Sequence, residues 1–362
     1  MKKQLITILL LTGIISIGST ALMAQAITTP RTPSPASTLS QTIGISTVTV
    51  SYSRPSVKGR EVWGKLVPYG FNKEAFGYGN PSPWRAGANE NTVITFSHDA
   101  TVQGKPVPAG SYGLFFVVNQ DNSGQIILSK DYRSWGNFWY DPTHDLMRAD
   151  IKIVEVSHTE MLTYNFVNLN KNSGELVLAW EKKQFPVKIE FDVDAIVMAN
   201  ASEELKNTVG FSWTGYNSAA NYSLKNKINL EQGLKWSDQA IAQNKSFATL
   251  NVRSKLLAEL GKGSESETVL KEALVIATEV EVNNYGYQLL TDGKHDKAIE
   301  ILAMNTKKYP ESANAWDSLG EAYATKGDKP NAIKNFKKAM SLNPPEAVKV
   351  NSEKFLKQLE AK

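Results

Sequence analysis

The sequence predicts an all-β antiparallel sandwich followed by an all-α array of stacked helical hairpins. Two observations carry this. From about residue 43 to residue 194, apolar and polar residues alternate with a period of two, broken by turn residues and by no helical stretch. Near the C-terminus, Gly286, Gly293, Ala298, Leu302 and Pro310 recur 34 positions later as Gly320, Gly327, Ala332, Phe336 and Pro344. A period of that length belongs to helical repeats, which present surfaces rather than perform chemistry.

At 362 residues the chain is long enough for two domains, and its 41% hydrophobic and 21% charged residues are those of a folded protein. The net charge is only +4, and Lys2 and Lys3 supply two of those charges. With no Lys/Arg cluster besides, neither nucleic acid nor an anionic membrane is an expected partner. No cysteine is present, so there is no disulfide framework and no thiol chemistry.

The N-terminus reads as a signal peptide over residues 1–26. Lys2 and Lys3 form a positive n-region, Leu5 to Ile17 a short apolar stretch, and Ala24-Gln25-Ala26 a cleavage site. The apolar run is shorter than the ~18–20 residues of a membrane span, and no later segment is long enough. The expectation is export to the periplasm or beyond, with the mature chain starting near Ile27. Residues 27–42, with Pro30, Pro33 and Pro35 among Thr and Ser, read as a flexible leader.

The β-sandwich is expected over 43–194. Val48, Val50 and Tyr52 alternate with Thr47, Thr49 and Ser51, and Leu114, Phe116 and Val118 keep the same period. So do Leu176, Leu178 and Trp180, and then Val187, Ile189, Phe191 and Val193. Asn119, Asp121, Ser123 and Gly124 mimic the start of a calcium loop, but Lys130 stands where a bidentate Glu is required, so a hairpin turn is expected.

Residues 195–213 read as a linker or first helix. Helical hairpins are expected at 214–246, 247–278, 279–312 and 313–346, with a capping helix over 347–362 that covers the last hairpin with Val350, Phe355 and Leu359. Small Gly320 and Ala332 let the two helices of a hairpin cross closely, Tyr323 and Phe336 fill the gap, and Pro344 ends the unit. Trp316, Leu319, Gly320, Tyr323, Ala332, Phe336, Ala339 and Pro344 together resemble the tetratricopeptide (TPR) signature. That resemblance implies a protein or peptide partner.

A second resemblance covers roughly residues 40–193. Ser53-Arg54-Pro55-Ser56-Val57-Lys58-Gly59-Arg60, Leu66-Val67-Pro68-Tyr69-Gly70, Trp84-Arg85-Ala86-Gly87-Ala88-Asn89-Glu90 and Pro108-Ala109-Gly110-Ser111-Tyr112 are similar to the hallmark segments of domain-of-unknown-function family 2911. That family is frequent in exported proteins of Bacteroidetes-type bacteria and brings no established activity. Here Phe71 to Pro83 intervene between the Pro-Tyr-Gly turn and the Trp-Arg pair, an insertion expected to be a surface loop.

Three candidate sites follow. Arg54, Arg60, Trp84, Arg85, Asn89 and Glu90 are of types that build a ligand pocket, or alternatively ties that lock loops onto the sandwich. Tyr132, Trp135 and Trp139 form either an aromatic platform for a glycan or a packed loop. Asn283, Tyr287, Asp317 and Glu321 are expected on the inner face of the repeat array, as a groove for a partner or as a brace against the β domain. They do not match the Lys/Asn/Arg pattern of carboxylate-clamp TPRs.

Four scattered histidines provide no metal-ligand spacing, and no nucleotide or hydrolase motif is present, so neither a metal nor a cofactor is expected. The preferred reading is an exported, non-enzymatic binding and scaffold protein. The alternative is a carbohydrate-active or other hydrolase module that uses Glu90 with Arg54, Arg60 and Arg85.

Overall fold

The computed structural model describes residues 33–361. The expected signal peptide and residues 27–32 of the expected leader lie outside them. The chain divides into two compact units, the first ending at Phe191 and the second beginning at Asp192.

The first unit contains β1 (Ala36–Ile43), β2 (Ser46–Ser53), β3 (Asn72–Lys73), β4 (Pro81–Ser82), β5 (Val93–Phe96), β6 (Ala100–Val102), β7 (Lys105–Val107) and β8 (Gly110–Val118). These are followed by β9 (Ser123–Ser129), β10 (Asp145–Lys152), β11 (Val154–Val167) and β12 (Ser173–Glu190). One antiparallel sheet runs β1-β2-β5-β8-β9-β10 and a second runs β11-β12-β6-β7. Alternate residues of β2 and β5, namely Val48, Val50, Ile94 and Phe96, are almost fully buried, as the period of two requires. The two layers meet through aromatic contacts such as Phe116 of β8 with Phe185 of β12, ring centroids 5.0 Å apart.

The expected leader is corrected here. Residues 36–43 are not a flexible extension but strand β1, paired with β2 from Ala36↔Ser53 to Ile43↔Ser46. As an edge strand β1 buries only Ile43, so its Ser/Thr-rich sequence lacks an apolar stripe. The insertion after Tyr69-Gly70 forms the small β3–β4 hairpin.

The second unit is helical: α1 (Val193–Glu204), α2 (Trp213–Asn226), α3 (Leu230–Gln243), α4 (Phe247–Glu259), α5 (Gly263–Ile276), α6 (Glu279–Thr291), α7 (His295–Lys308), α8 (Ala313–Lys326), α9 (Lys329–Met340) and α10 (Glu346–Glu360). Helices α2–α3, α4–α5, α6–α7 and α8–α9 pair as hairpins. The repeated crossing geometry within each of the last two hairpins is physical: a Cβ on Gly286 would stand 2.6 Å from Leu302, and one on Gly320 2.9 Å from Phe336, each pair displaced by the 34-residue period. Gly327 closes α8 in the left-handed conformation at φ 86°, which leaves its N–H free to bond Ala324 O and Tyr323 O. In α10, Phe355 stacks on Phe336 at 5.1 Å. Val350, expected beneath the cap, is 54% exposed, and the fully buried residue of α10 is Ser352. Ser352 is turned inward by a polar partner rather than by the apolar stripe.

Candidate functional site

Beyond the four residues of β5, the segment Trp84–Asn89 takes over the side of β8. Trp84 and Phe116 exchange both backbone hydrogen bonds at 2.9 Å. The segment then turns sharply, with Ala86 at φ 52° and Asn89 at φ 63°, a conformation costly for residues with a Cβ. It is held there because Ala86 O accepts from Thr92 Oγ1 (3.1 Å) and from the buried Tyr164 hydroxyl (3.0 Å). One face of this turn opens on a cleft of about 530 Å³.

The cleft is walled by five separated stretches, from within Pro33–Ser34, Pro55–Arg60, Leu66–Glu74, Ser82–Asn89 and at Asn137, together with Trp180 of β12. Trp84 and Trp180 stack nearly parallel, their centroids 5.8 Å apart. Arg85 Nη1 donates to Asn89 O (2.8 Å), and Arg85 Cζ lies 4.8 Å from the centre of the Phe138 ring. Burial depresses the Arg85 guanidinium from its usual value, and the nearby Glu74 carboxylate opposes that. Asn89 Nδ2 donates to Ser34 O (3.3 Å). Arg60 Nε and Nη2 are fixed on Val57 O and Ser56 O.

Four of the six residues of the first candidate site therefore line one cleft: Arg60, Trp84, Arg85 and Asn89. The other two do not. Arg54 donates to Leu162 O (2.9 Å) and Thr163 Oγ1 (2.6 Å), a tie from the end of β2 to β11. Glu90 is partly buried and engaged in an interaction of its own, and the carboxylate that lines the cleft is Glu74. Sequence reasoning missed Glu74 because it sits in the inserted hairpin. Its Oε1 accepts from Asn137 Nδ2 at 2.6 Å, which also donates to Ser82 Oγ at 2.9 Å.

The aromatic loop meets the Trp-Arg segment, but Tyr132, Trp135 and Trp139 themselves are not among the residues that line the cleft. Gly136 carries the Arg85 guanidinium against its Cα, and Asn137 contributes to the cleft. Beyond it, Trp139 packs edge-on with Phe76 (5.6 Å) and Tyr78 (5.3 Å) of the insertion. These rings do not bury one another: Phe76 is 63%, Tyr78 61%, Trp135 49% and Trp139 38% exposed. Tyr132 instead lies under the Arg133 guanidinium at 5.2 Å. At the base of the loop, His144 Nδ1 and Asp131 Oδ2 are 2.5 Å apart. That contact raises the His144 imidazole above its ordinary value.

The expected groove of the array is largely spent on internal bonds. Asp317, only 4% exposed, accepts from Asn351 Nδ2 (2.8 Å) and from Ser352 Oγ of α10. Glu321 accepts from the same Asn351 amide at 2.5 Å. Tyr287 donates to Ser318 Oγ at 3.2 Å, and Asn283 is 8% exposed. Tyr287 links α6 to α8, and Asp317 and Glu321 link α8 to α10, whereas Asn283 Oδ1 is buried with no hydrogen-bond partner among the described residues. Burial raises the carboxyls of Asp317 and Glu321 above their usual range. Among the described residues there is no grouping of His, Cys, Asp and Glu able to hold a metal ion, and no helix long and apolar enough to cross a membrane.

This architecture defines the chain as a β-sandwich bearing a cleft lined by polar groups and two indoles, joined to a TPR helical array. Residues 34–189 match the family described as protein of unknown function (DUF2911), and residues 313–346 match the tetratricopeptide repeat. Among curated proteins, the superkiller complex protein 3 of Mus musculus is 41% identical over 59 residues, 16% of this chain and 4% of that protein. Cellulose synthase operon protein C of Escherichia coli (strain K12) is 37% identical over 59 residues, 16% of this chain and 5% of that protein. The chain thus spans only about a twentieth of the length of these relatives. Among solved structures, MamA (residues 41 to the end) from Desulfovibrio magneticus RS-1 is 20% identical, covering 41% of this chain and 84% of that one with a TM-score of 0.27. The C-terminal part of a TPR repeat-containing protein from Cytophaga hutchinsonii is 15% identical, covering 46% and 74% with a TM-score of 0.30.

Proposed function

We propose that this chain is an exported, non-enzymatic binding protein. Its β-sandwich captures a ligand in the Trp84–Arg85 cleft, and its TPR array engages a protein partner. Export rests on the Lys2-Lys3 n-region, the apolar Leu5–Ile17 stretch and the Ala24-Gln25-Ala26 site. The observation that carries the reading is the cleft itself. At about 530 Å³ it has the size of a small-ligand site, and it gathers polar groups from segments far apart in sequence around two indoles. Binding is favoured over hydrolysis because Glu74 is the one carboxylate among its described lining residues, whereas glycoside hydrolysis ordinarily needs a pair.

The test is a thermal-shift panel of sugars, amino acids and short peptides on the chain from Ile27 onward, run beside Ala88→Trp. Ala88 lines the cleft and is partly exposed, so the indole fills the space without removing a tie. A compound that raises the Tm of the wild type and not of Ala88→Trp supports the reading. A panel in which no compound separates the two proteins overturns it.

A further inference from the structure

The charged side chains that line the cleft are mostly cationic. Lys58, Arg60 and Arg85 place three cations against the single carboxylate of Glu74, and that carboxylate is already bonded to Asn137. Among the described residues, Arg85 spends only Nη1 on Asn89 O and Arg60 only Nε and Nη2 on its own turn, so each retains N–H groups. What complements this wall is an anion with several acceptor oxygens.

An exposed aromatic patch adjoins the cleft. Phe76 is two residues from Glu74 and Trp139 two from Asn137, and Tyr78 N bonds Phe138 O at 3.0 Å, so the insertion and the loop are tied together as one rim. Three large rings in mutual contact, Phe76, Tyr78 and Trp139, exposed from 38% to 63%, form a concentrated apolar surface beside a polar cleft. A small acid alone would leave the rim uncovered, whereas a chain of sugar rings carrying carboxylates would use both surfaces.

We propose that cleft and rim together bind an acidic oligosaccharide of the uronate type. A carboxylate is held by Arg85, Arg60 and Lys58, and successive rings lie over Trp139, Tyr78 and Phe76. This rests on the cleft being a ligand site, and it specifies what enters it.

Calorimetric titration of the chain from Ile27 onward with trigalacturonate, its methyl ester, galacturonate and an acetylated tripeptide with a free C-terminus tests it. Trigalacturonate binds, and the methyl ester binds about tenfold more weakly, as loss of a charge-assisted contact requires. Arg85→Gln, and Lys58→Gln at an exposed position that leaves the fold intact, each narrow that difference. Trp139→Ala weakens the trimer and leaves the monomer unchanged. Equal affinity for ester and acid, or a tripeptide that binds as tightly as the trimer, overturns the proposal. If no saccharide binds but another compound separates wild type from Ala88→Trp, the acidic-sugar assignment falls and the cleft remains a ligand site. If nothing separates them, both fall.

Discussion

A Cβ on Gly136 would stand 2.3 Å from Cζ of Arg85. The aromatic loop therefore rests its backbone directly on the guanidinium that the Trp84–Asn89 turn delivers, and Phe138 closes the same cation from its ring face. One residue thus joins two segments some fifty positions apart and fixes the wall of the cleft.

Gly136→Ala should cost about 1–2 kcal/mol, part from a left-handed φ of 61° and part from displacing Arg85. Gly79→Ala is the control: its φ is 66°, but a Cβ there meets nothing within 4 Å. Urea melts of the two variants separate the contact from the backbone strain. Equal losses would show that the Arg85 contact does not hold the loop.

His144 provides a pH readout for the same loop. Its raised imidazole pKa comes first from the hydrogen bond to Asp131 and then from that carboxylate's charge. The folded value lies above the unfolded one, so the pair contributes fully below the unfolded histidine pKa. That contribution is lost as pH rises through the folded one. An NMR titration should place His144 above an ordinary histidine, and Asp131→Asn should bring it back down. An unchanged midpoint in the variant would refute the pairing.

The parts legible in the sequence were those whose residues alternate or repeat. Val48 and Val50 show β2 directly, and the Gly286/Gly320 pair shows the hairpins, because burial on one face imposes a period. Strand β1 was hidden: as an edge strand it needs only Ile43 inside, so Ser and Thr suffice elsewhere. Half the cleft was hidden for another reason. Arg85, Trp84 and Asn89 are consecutive enough to notice, but Glu74 and the rings of Phe76 and Tyr78 sit in an insertion with no periodicity, and only folding sets them beside Asn137 and Trp139. The array positions needed their partners to be read: Asp317 was weighed without Asn351, its counterpart 34 residues on, whose amide bonds it.

Asp317 and Ser352 predict the next result. Ser352 is fully buried, so Asp317→Ala leaves its hydroxyl and the Asn351 amide short of an acceptor, at a cost of about 1–3 kcal/mol. Asp317→Asn keeps an acceptor and removes the desolvated charge. Because burial raises the folded pKa of Asp317, the wild type binds the proton more readily when folded. That contribution is full below the unfolded carboxylate pKa and lost as pH rises through the folded value. The wild type should therefore gain on Asp317→Asn as pH falls from neutrality. Urea midpoints from pH 7 to pH 4 check this, and a gap that widens against the wild type on acidification would contradict it.

The closest crossing in the last hairpin sets the final test. Gly320 lies where α8 meets Phe336 of α9, and an added Cβ comes within 2.9 Å of the ring at Cδ1 and Cε1. Phe336 is fully buried and is itself stacked on Phe355 of α10, so the ring cannot retreat without moving the cap. Gly320→Ala should therefore destabilise by about 1–3 kcal/mol even though alanine is the better helix former by about 1 kcal/mol. Phe336→Leu in the same chain shortens the side chain and should recover part of the loss, a coupling that independent sites do not show. Because repeats are stabilised mainly by their neighbours, the effect should appear as increased hydrogen exchange across α8 to α10 while the β-sandwich keeps its protection. Additive losses in the double variant would mean that the helices part to admit the methyl group, and that the Gly320–Phe336 contact does not govern the crossing.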